Sequence, residues 1–132
     1  HAFASLSPIL RFWISYSSDW NVMILDVFPD GRAMRMQDGV VRARFRNGFD
    51  RPELLTPGEV DRYDIDVWFT ARVLPAGHRI RVSVASAGFP KYDRNLNTGG
   101  DNERDTEYMQ ARQQIFHDAA HPSRVTLPII PR

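Results

Sequence analysis

The sequence has no cysteine, and that absence removes thiol nucleophiles, disulfides and thiolate metal sites together. A cysteine-free chain suits a reducing compartment such as the cytoplasm, although nothing in it names one. No apolar run approaches the roughly 20 residues that a membrane-spanning helix needs, so no membrane partner is expected. Charge of one sign is missing as well. Seventeen Lys and Arg stand against 16 Asp and Glu, for a net charge of +1, and so weak a field gives no reason to expect a nucleic-acid partner. Methionine is absent from the first position, which is His1. The chain therefore reads as a piece of something longer, with any signal peptide out of sight.

What is present is enough for one packed domain. Hydrophobic residues make up 42% of 132 positions, with three Trp, four Tyr and eight Phe, a composition that argues against disorder. The chain is organised around Ile24 to Arg32, a strand running into a hard turn. Val22, Ile24, Asp26 and Phe28 fall on one side, and Asn21, Met23, Leu25 and Val27 on the other. Both sides are mostly apolar, which predicts a strand covered on both faces. Pro29-Asp30-Gly31 supplies the turn: proline presets φ, aspartate bonds nearby backbone, and glycine accepts positive φ.

Other segments alternate in the same way. Residues 1–7 read as a lead-in segment or linker, and residues 8–132 as the domain. Ile9 to Ser17 alternates well, and Ser17-Ser18-Asp19 reads as a turn. Gln37-Asp38-Gly39 also reads as a turn, because Asp-Gly favours one. It is followed by a strand that points Val41, Ala43 and Phe45 inward and Arg42, Arg44 and Arg46 outward. Val60 to Phe69 reads as a single strand with Tyr63, Ile65, Val67 and Phe69 toward the core. Pro75-Ala76-Gly77 turns the chain into a strand from His78 to Ser86. Residues 89–105 form a long Asn, Asp and Gly loop. Tyr108 to His117 fits either a strand or a short helix, and Arg124 to Ile130 reads as the last strand. About eight strands with long crossovers and almost no helix predict an all-β fold, a jelly-roll β-sandwich of the galactose-binding-domain-like type.

No catalytic constellation emerges from the residues. A nucleophile elbow needs Gly-x-Ser-x-Gly, because the strained turn lifts the hydroxyl out for attack. Ser86-Ala87-Gly88 comes nearest, and Val84 stands where the leading glycine belongs. The histidines are His1, His78, His117 and His121; His78 follows a glycine at a strand start, and His117 and His121 flank a turn, where imidazoles commonly satisfy backbone groups. His117 and His121 have helical metal-ligand spacing, but Pro122 disfavours a helix through His121 and the pattern lacks a basic glutamate. Asp93-x-Asn95-x-Asn97 has the alternating oxygens of a calcium loop. However, Thr98 and Arg104 occupy the positions that need glycine and a bidentate glutamate, so Asx-turns are the simpler account. Neither a metal nor a cofactor is expected. The Arg42, Arg44, Arg46 row reads as pairing with Asp61, Asp64 and Asp66 on a neighbouring strand. Trp13 and Trp68 could stack on sugar rings if they lie on an outer face.

The order of several blocks resembles one known pattern. These are Asp19; Asp26-Val-Phe-Pro-Asp-Gly-Arg32; Asp38-Gly39 with Arg42-x-Arg44-x-Arg46-Asn-Gly48; and Pro57-Gly58. Next come Leu74-Pro-x-Gly77-His78-Arg-Ile-Arg81, Phe89-Pro90, Asp93-Arg-Asn95-x-Asn97-Thr98-Gly99, and His117-Asp118 with His121-Pro-Ser123. Together they resemble the C-terminal domain of the CocE/NonD hydrolases, which include X-Pro dipeptidyl-peptidases, cocaine esterase and α-amino-acid ester hydrolases. Asp19-Trp20, where that family has a longer turn, and Phe28, in place of its usual tyrosine, are local departures. The resemblance implies a non-catalytic jelly-roll module that supports a separate α/β-hydrolase domain of the same parent protein and helps shape its substrate pocket. Esterase or dipeptidyl-peptidase chemistry would then lie in the parent, and no catalytic residue carries over to this chain. Phe89, Pro90, Tyr92, Asn95 and Asn97 are the expected interdomain docking residues, because an apolar start precedes a self-bonded polar tip. An uncovered docking face would favour self-association of the chain on its own. The alternative is a free-standing carbohydrate-binding sandwich that uses Trp13 or Trp68.

Overall fold

The computed structural model describes residues 3–7, 9–12 and 16–130, with side chains from residue 16 onward. Its nine strands are β1 (Phe3–Ser7), β2 (Ile9–Phe12), β3 (Asp19–Val27), β4 (Ala33–Arg42), β5 (Val60–Arg62), β6 (Ile65–Phe69), β7 (Arg79–Ala85), β8 (Gln113–Phe116) and β9 (Arg124–Thr126). One 3-10 turn, Ala43–Phe45, is the only helical element among the described residues. The strands pair antiparallel in the orders β4-β3-β7, β6-β1-β9 and β5-β2-β8.

The last two groups run in series. Leu6 faces Ile65 and Ile9 faces Arg62, so the same register continues from one pair of strands to the next. On the opposite flank Ser7 faces Arg124 while Ile9 faces Phe116. Residues 117–123 are therefore looped out of that flank. Asp118 Oδ1 closes this loop by accepting from the Ala120 and His121 N–H groups at 2.9 and 2.8 Å.

The second layer is β4-β3-β7. Its inner face and β6 enclose a core of Trp20, Val22, Ile24, Ala43, Leu55, Tyr63, Ile65 and Val67. The Trp20 and Tyr63 rings meet at 6.1 Å, tilted by 57°, an arrangement that aromatic quadrupoles favour. Burial pushes the Tyr63 phenol well above its ordinary value, and the neighbouring Asp61 adds to the effect. The result is an all-β sandwich of the jelly-roll kind. β3 lies at the middle of its sheet, buried or half-buried at every position. The turn that follows matches expectation. Gly31 has φ +90 and donates to the Phe28 carbonyl at 3.0 Å, while Asp30 Oδ1 accepts from the Arg32 N–H at 3.0 Å.

Several local readings are corrected. Asp38-Gly39 does not turn; it lies inside β4, with Asp38 facing Met23 and Gly39 facing Val22. The reason for glycine is close approach between the layers, since a Cβ at position 39 would sit 2.2 Å from the Asp66 carbonyl oxygen. The Val60 to Phe69 strand breaks at Tyr63-Asp64 into β5 and β6. The strand through the arginine row ends at Arg42, where the 3-10 turn begins. The lead-in segment carries β1, paired on both sides. The ambiguous segment before His117 resolves into β8.

Candidate functional site

The long loop after β7 is held onto its own sheet by two buried carboxylates. Asp19 of β3 accepts from Arg42 Nε at 2.9 Å, Arg42 Nη2 at 3.1 Å and Asn95 Nδ2 at 2.7 Å. Asp38 of β4 accepts from Lys91 Nζ at 2.6 and 2.8 Å and from the Tyr92 hydroxyl at 3.3 Å. The hydrogen bond to Asp38 raises the Lys91 ammonium above its ordinary value, against the opposing effect of desolvation. Asn95 also reaches Ser17 Oγ at 3.1 Å. The Asn95 side chain accepts from the Asn97 N–H at 2.9 Å, and Asn97 Nδ2 donates to the Met109 carbonyl at 2.9 Å.

Of the five residues expected to dock, Tyr92, Asn95 and Asn97 are thus turned inward and fix the loop. Phe89 and Pro90 face outward, Phe89 being 60% exposed. Two of the loop's side chains form Asx-turns: Asn95 Oδ1 accepts from the Asn97 N–H at 2.9 Å and Asp101 Oδ1 from the Glu103 N–H at 3.0 Å; Asp93 Oδ1 accepts from the adjacent Arg94 N–H at 2.8 Å.

A second buried carboxylate cluster was not singled out from the sequence. Asp26 is fully buried near the end of β3. Its Oδ2 accepts from Arg72 Nε at 3.1 Å and Nη2 at 2.9 Å, and its Oδ1 lies 2.7 Å from His78 Nδ1. Burial alone would raise the Asp26 carboxyl, but the hydrogen bonds from His78 and Arg72 outweigh it and hold the group below the usual aspartate value. The signal that could have found it was an aspartate on the core-facing side of an apolar strand, since a buried carboxylate requires partners.

An aspartate–histidine pair is two thirds of a hydrolytic triad, so its remaining surroundings decide what it can do. The other neighbour of His78 is the Phe28 ring, 4.5 Å between centroids. Among the described residues no hydroxyl is hydrogen-bonded to His78. The cluster ties the segment between β6 and β7 to β3. His121 stacks on Phe116 at 5.1 Å and lies 3.3 Å from Asp118.

The arginine row divides its partners. Arg42 pairs with Asp19, Arg44 Nη2 donates to the Gly100 carbonyl at 3.1 Å, and Arg46 Nε lies 3.3 Å from Asp61. Of the three expected cross-strand acids only Asp61 meets the row. Asp64 binds Arg62 at 2.9 Å, and Asp66 Oδ1 accepts from the Trp68 N–H at 2.7 Å. Trp20 is buried, Trp68 is 62% exposed, and Trp13 lies outside the described residues.

Fold and site together define a β-sandwich whose buried polar clusters clamp loops and assemble no reaction centre among the described residues. Residues 15–126 match the X-Pro dipeptidyl-peptidase C-terminal non-catalytic domain, and the chain belongs to that family, as its resemblance to the CocE/NonD hydrolases implied. Cocaine esterase of Rhodococcus sp. is 44% identical over 127 residues, covering 92% of this chain and 22% of the esterase. An aminopeptidase from a marine-sediment Thaumarchaeota archaeon superposes with a TM-score of 0.79 at 29% identity, over 99% of this chain and 24% of that one. An α-amino acid ester hydrolase superposes with a TM-score of 0.83 at 26% identity, over 97% of this chain and 24% of that one. The chain therefore spans between a fifth and a quarter of the length of these relatives.

Proposed function

We propose that this sandwich braces the catalytic portion of a larger serine hydrolase with esterase or dipeptidyl-peptidase chemistry, and helps shape its substrate pocket. The observation that carries the reading is the family itself: the matched domain is described as non-catalytic, while the similar proteins are hydrolases four to five times its length. The internal clamps support it, because the buried carboxylates Asp19, Asp26 and Asp38 hold loops in place through hydrogen bonds from Asn95, Arg72 and Lys91. Phe89 and Pro90 contribute a contact to the neighbouring domain, and Tyr92, Asn95 and Asn97 set their position. Separated from that neighbour, the uncovered face drives self-association. The experiment is removal of this domain from the parent protein. The expected result is loss of activity together with faster thermal inactivation. Unchanged activity and unchanged half-life would overturn the reading.

A further inference from the structure

At the Asp26 end of the sandwich, away from the clamped loop, the surface opens into an apolar groove of about 850 Å³. Ile24 and Met36 form its floor. Its walls are Phe69, Val73, Leu74 and Ile80 on one side and Ile129 and Ile130 on the other, all of them exposed. Val73 is 61% and Ile129 83% exposed. Scattered exposed aliphatics need no explanation, but six converging on one concavity do.

The wall is built rather than collapsed. Residues 70–78 contain no strand or helix, yet Arg72 and His78 fasten them to buried Asp26 at 2.9 and 2.7 Å. Arg72 Nη2 also lies 3.6 Å from Met34 Sδ. With Arg72 and His78 drawn in to the carboxylate, the backbone between them is held out, and Val73 and Leu74 stay in solvent instead of folding onto Ile24.

We propose that this groove seats an apolar segment of the catalytic portion of the same polypeptide. The inference rests on the bracing role proposed above and identifies where the bracing contact is made. Two observations favour this occupant. The similar proteins carry this domain within chains of which it is about a quarter or less, so each has ample chain to cover it. The groove is also lined mainly by apolar side chains; beside the hydroxyl of Thr70 its polar members are Arg72 and Gln37, and both are already engaged, with Asp26 and with the Phe69 carbonyl. Such a lining fits the desolvated centre of an intramolecular domain interface.

These 132 residues contain no cysteine, so a thiol introduced here is told from any other by the mass of its peptide. In the full-length parent protein, Val73→Cys, Ile129→Cys, Phe89→Cys and Phe49→Cys are made one at a time. Thiol labelling at each site is followed by peptide mass spectrometry at two protein concentrations. Phe49, 87% exposed and not among the residues that line the groove, is the reference. The expected result is labelling at positions 73 and 129 about tenfold or more slower than at 49, unchanged on dilution. Labelling at the reference rate would overturn the inference, and so would protection that vanishes on dilution, which would indicate a second copy in the groove. Protection at Phe89 with open positions 73 and 129 would also overturn it, while leaving the bracing role intact. Open positions throughout, in a protein whose activity survives removal of the domain, would overturn both.

Discussion

Arg72 Nη2 donates to Asp26 Oδ2 at 2.9 Å across 46 positions of sequence, and the carboxylate it meets has no solvent exposure. One wall of the apolar groove depends on this contact. Arg72→Ala leaves Asp26 with His78 alone, and a buried carboxylate that loses a partner destabilises its surroundings. The expected outcome is a melting temperature lower by several degrees and faster amide exchange over residues 70–78, with β3 exchange following only the global change. Exchange over 70–78 identical to the unaltered protein would contradict the assignment of Arg72 as the anchor.

The same carboxylate sets a pH dependence. Because the folded group lies below its ordinary value, the folded state binds its proton less readily than the unfolded chain does. Its stabilising contribution is complete above the unfolded value and is lost as pH falls through the lower folded value. Asp26→Asn cannot titrate there. The variant is therefore expected to melt below the unaltered protein at neutral pH, and the gap should narrow as the medium becomes strongly acidic. Melting curves followed into the acid range check this; a gap that widens would contradict it.

Asp38 makes a separable prediction, since its partners Lys91 and Tyr92 belong to the loop over the opposite face of the sheet. Asp38→Ala is expected to speed amide exchange over residues 88–97 with little change at β6. Asn95→Ala should add to that effect from the other anchor, Asp19. Loop exchange unaffected by either variant would show that the clamp does not hold the loop.

Gly39→Ala tests the contact between layers. A methyl group there would sit 2.2 Å from the backbone oxygen of Asp66, and neither sheet can yield without moving a strand. Overpacking of this kind costs about 1–3 kcal/mol or more. Denaturant unfolding should show that loss, and a variant of equal stability would mean that the two sheets are further apart at this point.

Much of the fold was legible because it rests on local periodicity. The alternation through β3 and the Pro29-Asp30-Gly31 turn are written in neighbouring residues, and the arrangement found is the one they dictate. Asp38-Gly39 misleads for a physical reason. Its turn propensity is local, whereas the requirement for glycine comes from Asp66, far along the chain and in the other layer. The break at Tyr63-Asp64 was hidden because alternation of the side chains continues through it: Tyr63, Ile65 and Val67 are all buried.

The candidate sites were less legible. Phe89 to Asn97 was singled out by its composition, but the carboxylates that turn Tyr92 and Asn95 inward lie on β3 and β4, and only folding brings them together. The groove assembles residues 69–80 with residues 129 and 130, and no sequence pattern links these segments. Asp26 was visible as a charge inside an apolar strand. Its partners, Arg72 and His78, follow from the course of the segment between β6 and β7.

The central claim is that the sandwich stabilises the catalytic neighbour it packs against. Ile65→Ala in the full-length parent tests it most directly. Ile65 is 1% exposed in the core of this domain and forms no part of the groove or the loop, and its truncation costs about 2–5 kcal/mol of domain stability. The account predicts that the temperature of enzyme inactivation falls together with the unfolding temperature of the sandwich. An inactivation temperature that stays unchanged while the sandwich melts earlier would contradict it.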